Sequence, residues 1–419
     1  MLNSSKSFIE KYKLLISNFS YLSILEIIGL LLPLFTYPYL IRVVGKDLYG
    51  VIVYSQAVVA YAIILINFGF NVSATKNVSE NRNNPQILSE IFNSIIQIKL
   101  LFTFITAFIY SLFVYIYVET DYKLLYYFTF GLCIQEVLFP IWFFQGIERM
   151  KYITFISFTV KTFFTASIFI FIKGNQDYIF IPILNSLGGI LSALLAVLII
   201  RRKYAIKFKW VPVAVLKKYF KESIPFFFSR AASVIIERSN TIIVGLFFGY
   251  GMVASFDLAL KVINIMKIPF TLVAQVLYPN VARTKNMQLV KKVLILVGLI
   301  GTILSFIVCI FSTQIVSLLG GKELYDSIPP LIILSMYLPI VGCSYILGAS
   351  TLVVMNYIKE YNYSVLYSLV VYLLLVIVFI YLDMINLISL SIIYIVPELF
   401  IVLYRGYVTY KNKLFKYHI

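Results

Sequence analysis

Eleven ionisable side chains lie inside long apolar stretches of this sequence, where a charge is costly. They comprise the six cations Lys99, Lys161, Arg230, Arg238, Lys261 and Lys267 and the five acids Glu26, Glu136, Glu237, Asp257 and Glu398. An ionised group at the centre of a bilayer costs roughly 2.5–3.5 kcal/mol on insertion scales, so each must face a partner or a water-filled cavity. Cations in such a place can bind phosphate or another anion.

Other chemical groups are scarce. His418 is the only histidine, and the three cysteines, Cys133, Cys309 and Cys343, lie in apolar runs. Metal sites built on histidine and membrane acyltransferases that rely on a buried histidine therefore have no candidate residue. An odd number of cysteines offers no disulfide framework. We predict no catalytic residue, no metal site and no cofactor.

The composition excludes a water-soluble fold. Of the 419 residues, 61% are hydrophobic and 13% are charged, whereas soluble chains carry about 25% charged residues. The 35 Lys and Arg against 18 Asp and Glu give a net charge of +17. In a soluble protein this excess would suggest nucleic acid, but here its positions indicate membrane topology, and no nucleic-acid partner is expected.

The apolar runs predict an all-α polytopic membrane protein with twelve transmembrane helices. They lie near residues 16–41, 48–70, 88–118, 124–147, 153–173, 178–200, 222–248, 250–280, 293–319, 328–356, 361–382 and 385–405.

Lysine and arginine counts predict the orientation of these spans, because cationic loops resist translocation. With the N-terminus inside, the cytoplasmic segments hold 24 cations, Arg405 among them, and the external segments hold five. Twelve spans then place both termini in the cytoplasm.

A basic segment divides the chain near its middle. Residues 201–221 carry eight cations and no acid, which predicts a cytoplasmic linker between two six-helix bundles at residues 1–200 and 222–419. The cations could simply anchor the loop on the cytoplasmic side, or they could also bind anionic lipid headgroups at about 1 kcal/mol per cation.

An internal repeat supports this division. Residues 71–77 (NVSATKN) and 280–286 (NVARTKN) agree at five of seven positions, with an offset of 209. The turns Val44-Gly45 and Phe248-Gly249 also correspond, with an offset of 204. Equivalent spans of equal direction predict two bundles related by a pseudo-two-fold axis along the membrane normal, with a substrate cavity between them.

Spans seven and eight concentrate the charge. Arg238 and Lys261 lie eleven and twelve residues from the turn at Gly249, so both are expected about 17 Å below the membrane surface. Arg230 and Lys267 are expected about 28 Å from that turn. Asp257 lies four residues before Lys261 and should partly neutralise it, which leaves Arg238 as the more available anion ligand.

The first half presents a similar set near mid-depth. Glu26, Lys99, Glu136 and Lys161 each lie nine to twelve residues inside a span. Two interpretations remain open: these groups pair with one another and hold helices together, or they line a cavity that binds a polyanion.

Several motifs carry a family resemblance. They are LLPLFTYPYLIRVVG at 31–45, Tyr49-Gly50, FGFNVSAT at 68–75, PIWFFQGIERMK at 140–151 and Tyr278-Pro279. With these, the chain resembles, over its full length, the Wzx-type O-antigen and capsule-repeat flippases of the multidrug/oligosaccharidyl-lipid/polysaccharide exporter superfamily.

The resemblance implies a transporter of the bacterial inner membrane. Its substrate would be an undecaprenyl-pyrophosphate-linked oligosaccharide, moved from the cytoplasmic to the outer leaflet by alternating access. The resemblance also implies coupling to an ion gradient such as H+ or Na+, and a place beside the polysaccharide polymerase and chain-length machinery. The candidate carboxylates for this coupling are Glu26, Glu136, Glu237, Asp257 and Glu398.

Three other functions compete with this interpretation. A drug or cation antiporter of the same superfamily would present uncompensated acids, whereas the embedded cations here outnumber the acids six to five. A repeat-unit polymerase, which is an enzyme, would need a large external loop that this sequence lacks. A lipid II flippase usually has additional helices.

Overall fold

The computed structural model is built almost entirely of α-helices. It describes the backbone of residues 2–416 and the side chains of residues 20, 21 and 23–415, so His418 lies outside the described residues. No β-strand occurs within this range. Eleven helices are long and apolar enough to cross a membrane, and a pair bent by 43°, Lys322–Ser335 with Tyr337–Val353, would make a twelfth. The predicted all-α membrane fold is confirmed.

The chain divides into two compact units. Unit 1 comprises Met1–Thr36 and Ser55–Ala231, and unit 2 comprises Tyr37–Tyr54 and Ala232–Ile419. The hairpin Tyr37–Tyr54 therefore belongs to the unit that contains the second half of the sequence.

Ten helices form the first part of the chain. They are α1 (Leu2–Val44), α2 (Lys46–Asn67), α3 (Phe70–Glu80), α4 (Pro85–Tyr117), α5 (Lys123–Thr129), α6 (Gly131–Leu138), α7 (Ile141–Gly146), α8 (Met150–Phe171), α9 (Phe180–Lys203) and α10 (Val213–Phe248). The fourth predicted span is thus broken into α5, α6 and α7, and α7 begins directly after Pro140, as expected of a residue that cannot donate a backbone hydrogen bond. The core of unit 1 contains Trp142, Phe143 and Phe144, all fully buried.

Eight helices follow. They are α11 (Tyr250–Met266), α12 (Ile268–Thr284), α13 (Met287–Ile310), α14 (Ser312–Gly320), α15 (Ile328–Ser335), α16 (Tyr337–Tyr345), α17 (Ile358–Tyr381) and α18 (Leu387–Lys411). A π-helical turn at Ile346–Val353 continues α16. Such turns shift the register of a helix and are frequent near functional sites.

Two single-glycine turns join long helices. Gly45 (φ +87°) separates α1 from α2, and Gly249 (φ +80°) separates α10 from α11. These left-handed conformations favour glycine because it has no Cβ. The last residues of α3 and α12, Glu80 and Thr284, share the same offset of 204. The seven-residue match at offset 209 is therefore displaced by five residues from the spacing shared by the turns and helix ends.

The basic connection is shorter than its sequence suggested. Helix α9 continues through Lys203 and α10 begins at Val213, which leaves residues 204–212 as the non-helical segment. Most of its cations consequently lie on helix ends rather than in a loop.

Candidate functional site

Helix α10 presents the most available cations. The side chains of Arg230, Glu237 and Arg238 are exposed, and none of the three makes an ion pair with a described residue. Arg230 and Arg238 are eight residues apart, about 12 Å along the helix. A guanidinium group without an ion partner can donate two parallel hydrogen bonds to a phosphate or carboxylate.

Lys261 lies in a different environment, inside unit 2. It forms the expected ion pair with Asp257 and donates a hydrogen bond to the Tyr49 hydroxyl at 3.1 Å. Its ammonium group also lies 5.1 Å from the centroid of the Tyr37 ring, and Tyr37 donates to the carbonyl of Ala254 at 3.0 Å. The prediction that Asp257 neutralises Lys261 is confirmed, and two tyrosines complete the surroundings of this cation.

Lys99 and Glu136 form an ion pair inside unit 1. The Nζ of Lys99, whose side chain is fully buried, lies 2.9 Å from Glu136 Oε1 and donates to the Glu136 carbonyl at 3.0 Å. Asn67 donates a further hydrogen bond to the same carboxylate at 2.5 Å. Glu136 lies near the end of α6, where the helix break at Phe139 and Pro140 exposes its carbonyl. For this pair, the structure matches the interpretation that the groups hold helices together.

A cavity of about 190 Å³ lies within unit 2. It collects polar side chains from α10, the α11–α12 junction, α16, α17 and α18. The polar members of its lining are Ser233, Glu237, Lys267, Tyr337, Ser344, Tyr345, Tyr361, Ser368, Tyr394, Glu398 and Arg405. Three residues predicted from sequence, Glu237, Lys267 and Glu398, thus share one cavity, and the Tyr337 hydroxyl lies 3.5 Å from Glu398 Oε2.

Arg405 is the functional candidate that sequence reasoning missed. The count of lysines and arginines assigns it to a cytoplasmic segment and gives it no further role. In the structure it lies within α18 and is only 5% exposed. Its guanidinium donates to Ser344 O at 2.9 Å, Ser344 Oγ at 3.1 Å and Ser364 Oγ at 3.0 Å, and it packs 4.5 Å from the Tyr361 ring centroid.

A helical spacing could have identified this arginine. Tyr394, Glu398 and Arg405 follow one another by four and seven residues, so they lie on one face of α18. The backbone also makes room for the side chain, because a Cβ on Gly348 would lie 2.6 Å from the Arg405 guanidinium.

The remaining candidates are separate. Lys161 and Glu26 are exposed in unit 1, and the Lys161 ammonium lies near Gly29 of α1. Glu26 has an interaction partner within the structure. No group of three or more potential metal ligands occurs in the part of the chain that the structure describes.

Comparison with known proteins identifies a relative of this chain. The chain is 24% identical over 352 residues to a protein of Escherichia coli (strain K12) named "Putative O-antigen transporter", covering 82% of this chain and 85% of the relative.

Solved structures share the fold at lower identity. A lipid II flippase MurJ in an inward closed conformation matches with a TM-score of 0.71 and 15% identity, covering 96% of this chain and 89% of the other. An inward-facing multidrug resistance MATE transporter of the MOP superfamily matches with a TM-score of 0.64 and 14% identity, covering 91% and 95%. The profile of the family described as "Polysaccharide biosynthesis protein" matches residues 15–285, and the chain belongs to this family.

Proposed function

We propose that this chain is a flippase for a lipid-linked oligosaccharide. Its substrate is an undecaprenyl-pyrophosphate-linked repeat unit of an O-antigen or capsule, which it moves from the cytoplasmic to the outer leaflet of the bacterial inner membrane by alternating access. The name of the Escherichia coli relative and the fold shared with a lipid II flippase support this function. Both belong to transport rather than catalysis, so we assign no enzymatic step to the chain.

One observation carries the proposal: Arg238 is exposed on α10 and has no ion partner among the described residues. Lys99 and Lys261, by contrast, are each paired with a carboxylate. We therefore assign the pyrophosphate to Arg238, with Lys267 of the same unit as a further cationic contact, and a structural role to Lys99 and Lys261. Arg230 and Lys161, which belong to unit 1, stay predicted anion ligands. A pyrophosphate carries two or more negative charges and requires charge-assisted hydrogen bonds when it leaves water.

The test is substitution of Arg238. Hydrogen bonds to charged groups contribute about 1.5–3 kcal/mol each, so Arg238→Ala should lower surface polysaccharide at least about ten-fold. Arg238→Lys should retain part of the export, because it keeps the charge and loses the two-point geometry. Surface glycan is quantified in cells that carry each variant, with the protein level in the membrane measured in parallel.

Lys322→Ala is the matched control, since Lys322 is an exposed cation in the turn before α15. It should leave export unchanged. Full export by Arg238→Ala at normal protein level would overturn the assignment of the pyrophosphate to this residue.

We place ion coupling in the cavity of unit 2. Glu398 lines it together with Glu237 and is within reach of the Tyr337 hydroxyl. A carboxylate that exchanges H+ or Na+ during transport must face a polar space rather than hydrocarbon, and the lining of this cavity is rich in polar side chains. The other three carboxylates are less suited to ion coupling. Glu136 and Asp257 form ion pairs with lysines, and Glu26 lies outside this cavity.

The coupling assignment predicts a separation of binding from driven transport. Glu398→Gln keeps the size and hydrogen-bonding capacity of the side chain and removes its charge. In proteoliposomes, it should abolish the stimulation of flipping by an imposed H+ or Na+ gradient while retaining the slower flipping without a gradient. Unchanged stimulation by both gradients would exclude Glu398.

A multidrug or cation antiporter is the alternative function. Glu237 and Glu398 would then bind a cationic drug, but Lys267 and Arg405 line the same cavity and oppose a cation. Drug efflux that survives Arg238→Ala and is lost in Glu398→Gln would favour this alternative.

A further inference from the structure

The segment that joins α9 to α10 is held to α4 by two buried amide side chains. Asn93 donates to Lys207 O at 3.1 Å and accepts from Lys209 N at 3.0 Å. One helical turn later, Gln97 donates to Lys209 O at 2.7 Å and accepts from Val211 N at 3.2 Å. Partners at every second residue indicate an extended segment that runs along the helix. We call residues 207–211 the strand below, although they pair with no other strand in the described part of the chain. The two amides act as the neighbouring strand of a sheet would.

This strand carries exposed aromatic rings and cations. Phe208 and Trp210 are 53% and 83% exposed, and their ring centroids lie 5.4 Å apart. Lys207 and Lys209 alternate with them and are also exposed. Ile206, just before, is buried in the core of unit 1. Phe208 and Trp210 therefore form a small exposed aromatic patch flanked by two lysines.

The position of the strand along α4 indicates what it contacts. The exposed apolar face of α4 runs from Leu101 to Tyr117, and the 20 residues from Ile98 to Tyr117 span about 30 Å, the thickness of the hydrocarbon core. Trp210 lies beside Gln97, the residue that immediately precedes this stretch of α4. Tryptophan is favoured at that depth because its ring is amphipathic, and lysines just outside it reach the phosphate layer.

The charge of the surface is strongly positive. Residues 201–221 carry eight cations and no acid. A groove of about 680 Å³ lies between the strand and the start of α4. The only acid that lines it, Glu90, accepts a hydrogen bond from Tyr219 at 3.1 Å.

We propose that this strand is a binding site for the headgroup of an anionic phospholipid. Lys207 and Lys209 contact the lipid phosphate, Phe208 and Trp210 enter the glycerol region, and Asn93 and Gln97 position the strand. The site contains none of the residues assigned to the pyrophosphate, and it does not depend on the proposed substrate. In the proposed topology it lies at the cytoplasmic leaflet.

The chain supplies its own reporter for this proposal. It has two tryptophans, of which Trp142 is fully buried with an N–H group that has no acceptor. Trp142→Phe therefore leaves Trp210 as the single tryptophan, whose emission is excited selectively at the red edge of the absorption band, where tyrosine does not absorb. The full chain is placed in nanodiscs of equal phosphatidylglycerol and phosphatidylcholine, with one of the two lipids brominated in its acyl chains.

Brominated phosphatidylglycerol should quench Trp210 more strongly than brominated phosphatidylcholine at the same mole fraction. K207Q/K209Q should reduce the preference for phosphatidylglycerol by about five-fold for each lysine removed. K173Q/K322Q, which removes two exposed cations elsewhere, should leave the preference unchanged. Asn93→Leu with Gln97→Leu should weaken the preference while both lysines remain, since the strand loses its position.

Three results would overturn the proposal. Equal quenching by the two lipids in the parent protein would show that no headgroup is selected. An unchanged preference in K207Q/K209Q would exclude the two lysines. Loss of the preference on adding inorganic phosphate, but not chloride at equal ionic strength, would show that the site takes a free anion rather than a lipid.

Discussion

Lys99 illustrates how a single charged residue is accommodated within unit 1. Its side chain has no exposed surface, and the Glu136 carboxylate and carbonyl together satisfy its ammonium group. The cost of removing both charges from water is offset only while the partner is in place. Arg405 shows a different solution, in which serine oxygens and a tyrosine ring replace a carboxylate.

Removing one member of the Lys99 pair should destabilise the protein. Lys99→Met leaves a largely buried carboxylate without its cation, which typically costs about 3–5 kcal/mol. The thermal midpoint of the purified protein in detergent should fall by several degrees. Lys99→Met combined with Glu136→Gln should recover most of this loss, because no unpaired charge then remains. A double variant as unstable as the single one would indicate that the ion pair is not the cause.

At the scale of elements, glycine turns and helix breaks decide where side chains lie. Gly45 and Gly249 each join two long helices through a single residue with positive φ. Breaks at Pro140 and at the π-helical turn Ile346–Val353 then bring Glu136 and Ser344 to their partners. Backbone groups freed by such breaks can be used by neighbouring side chains.

The short connection between α12 and α13 provides a test of the proposed topology. Thr284 ends α12, and Met287 begins α13, so a reporter inserted after Asn286 interrupts neither helix. Arg283, Lys285, Lys291 and Lys292 surround this position, and cationic segments resist translocation. A fluorescent reporter there should be active, and an alkaline phosphatase reporter inactive. The opposite pair of results would reverse the assigned orientation.

At the scale of the whole molecule, two compact units each contain their own charged groups. Unit 1 holds the Lys99–Glu136 pair, and unit 2 holds the Lys261–Asp257 pair and the cavity with Glu398 and Arg405. Neither pair nor the cavity requires residues from the other unit.

The proposed flippase function predicts that deletion of the gene stops export rather than synthesis of the repeat unit. Cells should lose the surface glycan and accumulate the lipid-linked repeat unit on the cytoplasmic leaflet, because the substrate cannot cross the hydrocarbon core unaided. Wild-type protein should reverse both effects, and Arg238→Ala should reverse neither. Normal surface glycan after deletion, with no accumulated intermediate, would exclude the proposed transport function in those cells.

The spans, the turns at Gly45 and Gly249 and the Asp257–Lys261 pair follow from the sequence alone. Hydrophobic length, glycine placement and i,i+4 spacing are local properties, and the energies that depend on them act within one helix. The same local reasoning treats Arg405 as an anchoring residue, because it lies near the end of an apolar run, and does not reveal that its side chain is buried.

Only the tertiary structure decided which charges are satisfied and which remain available. Glu136 lies 37 residues from Lys99, and Ser344 lies 61 residues from Arg405, so neither partnership is visible in the spacing along one helix. Asn93 and Gln97 likewise have the appearance of ordinary polar residues until the strand at 207–211 lies against them. The reason is physical: the cost of a buried polar group depends on the atoms that surround it, and long-range packing alone brings those atoms together.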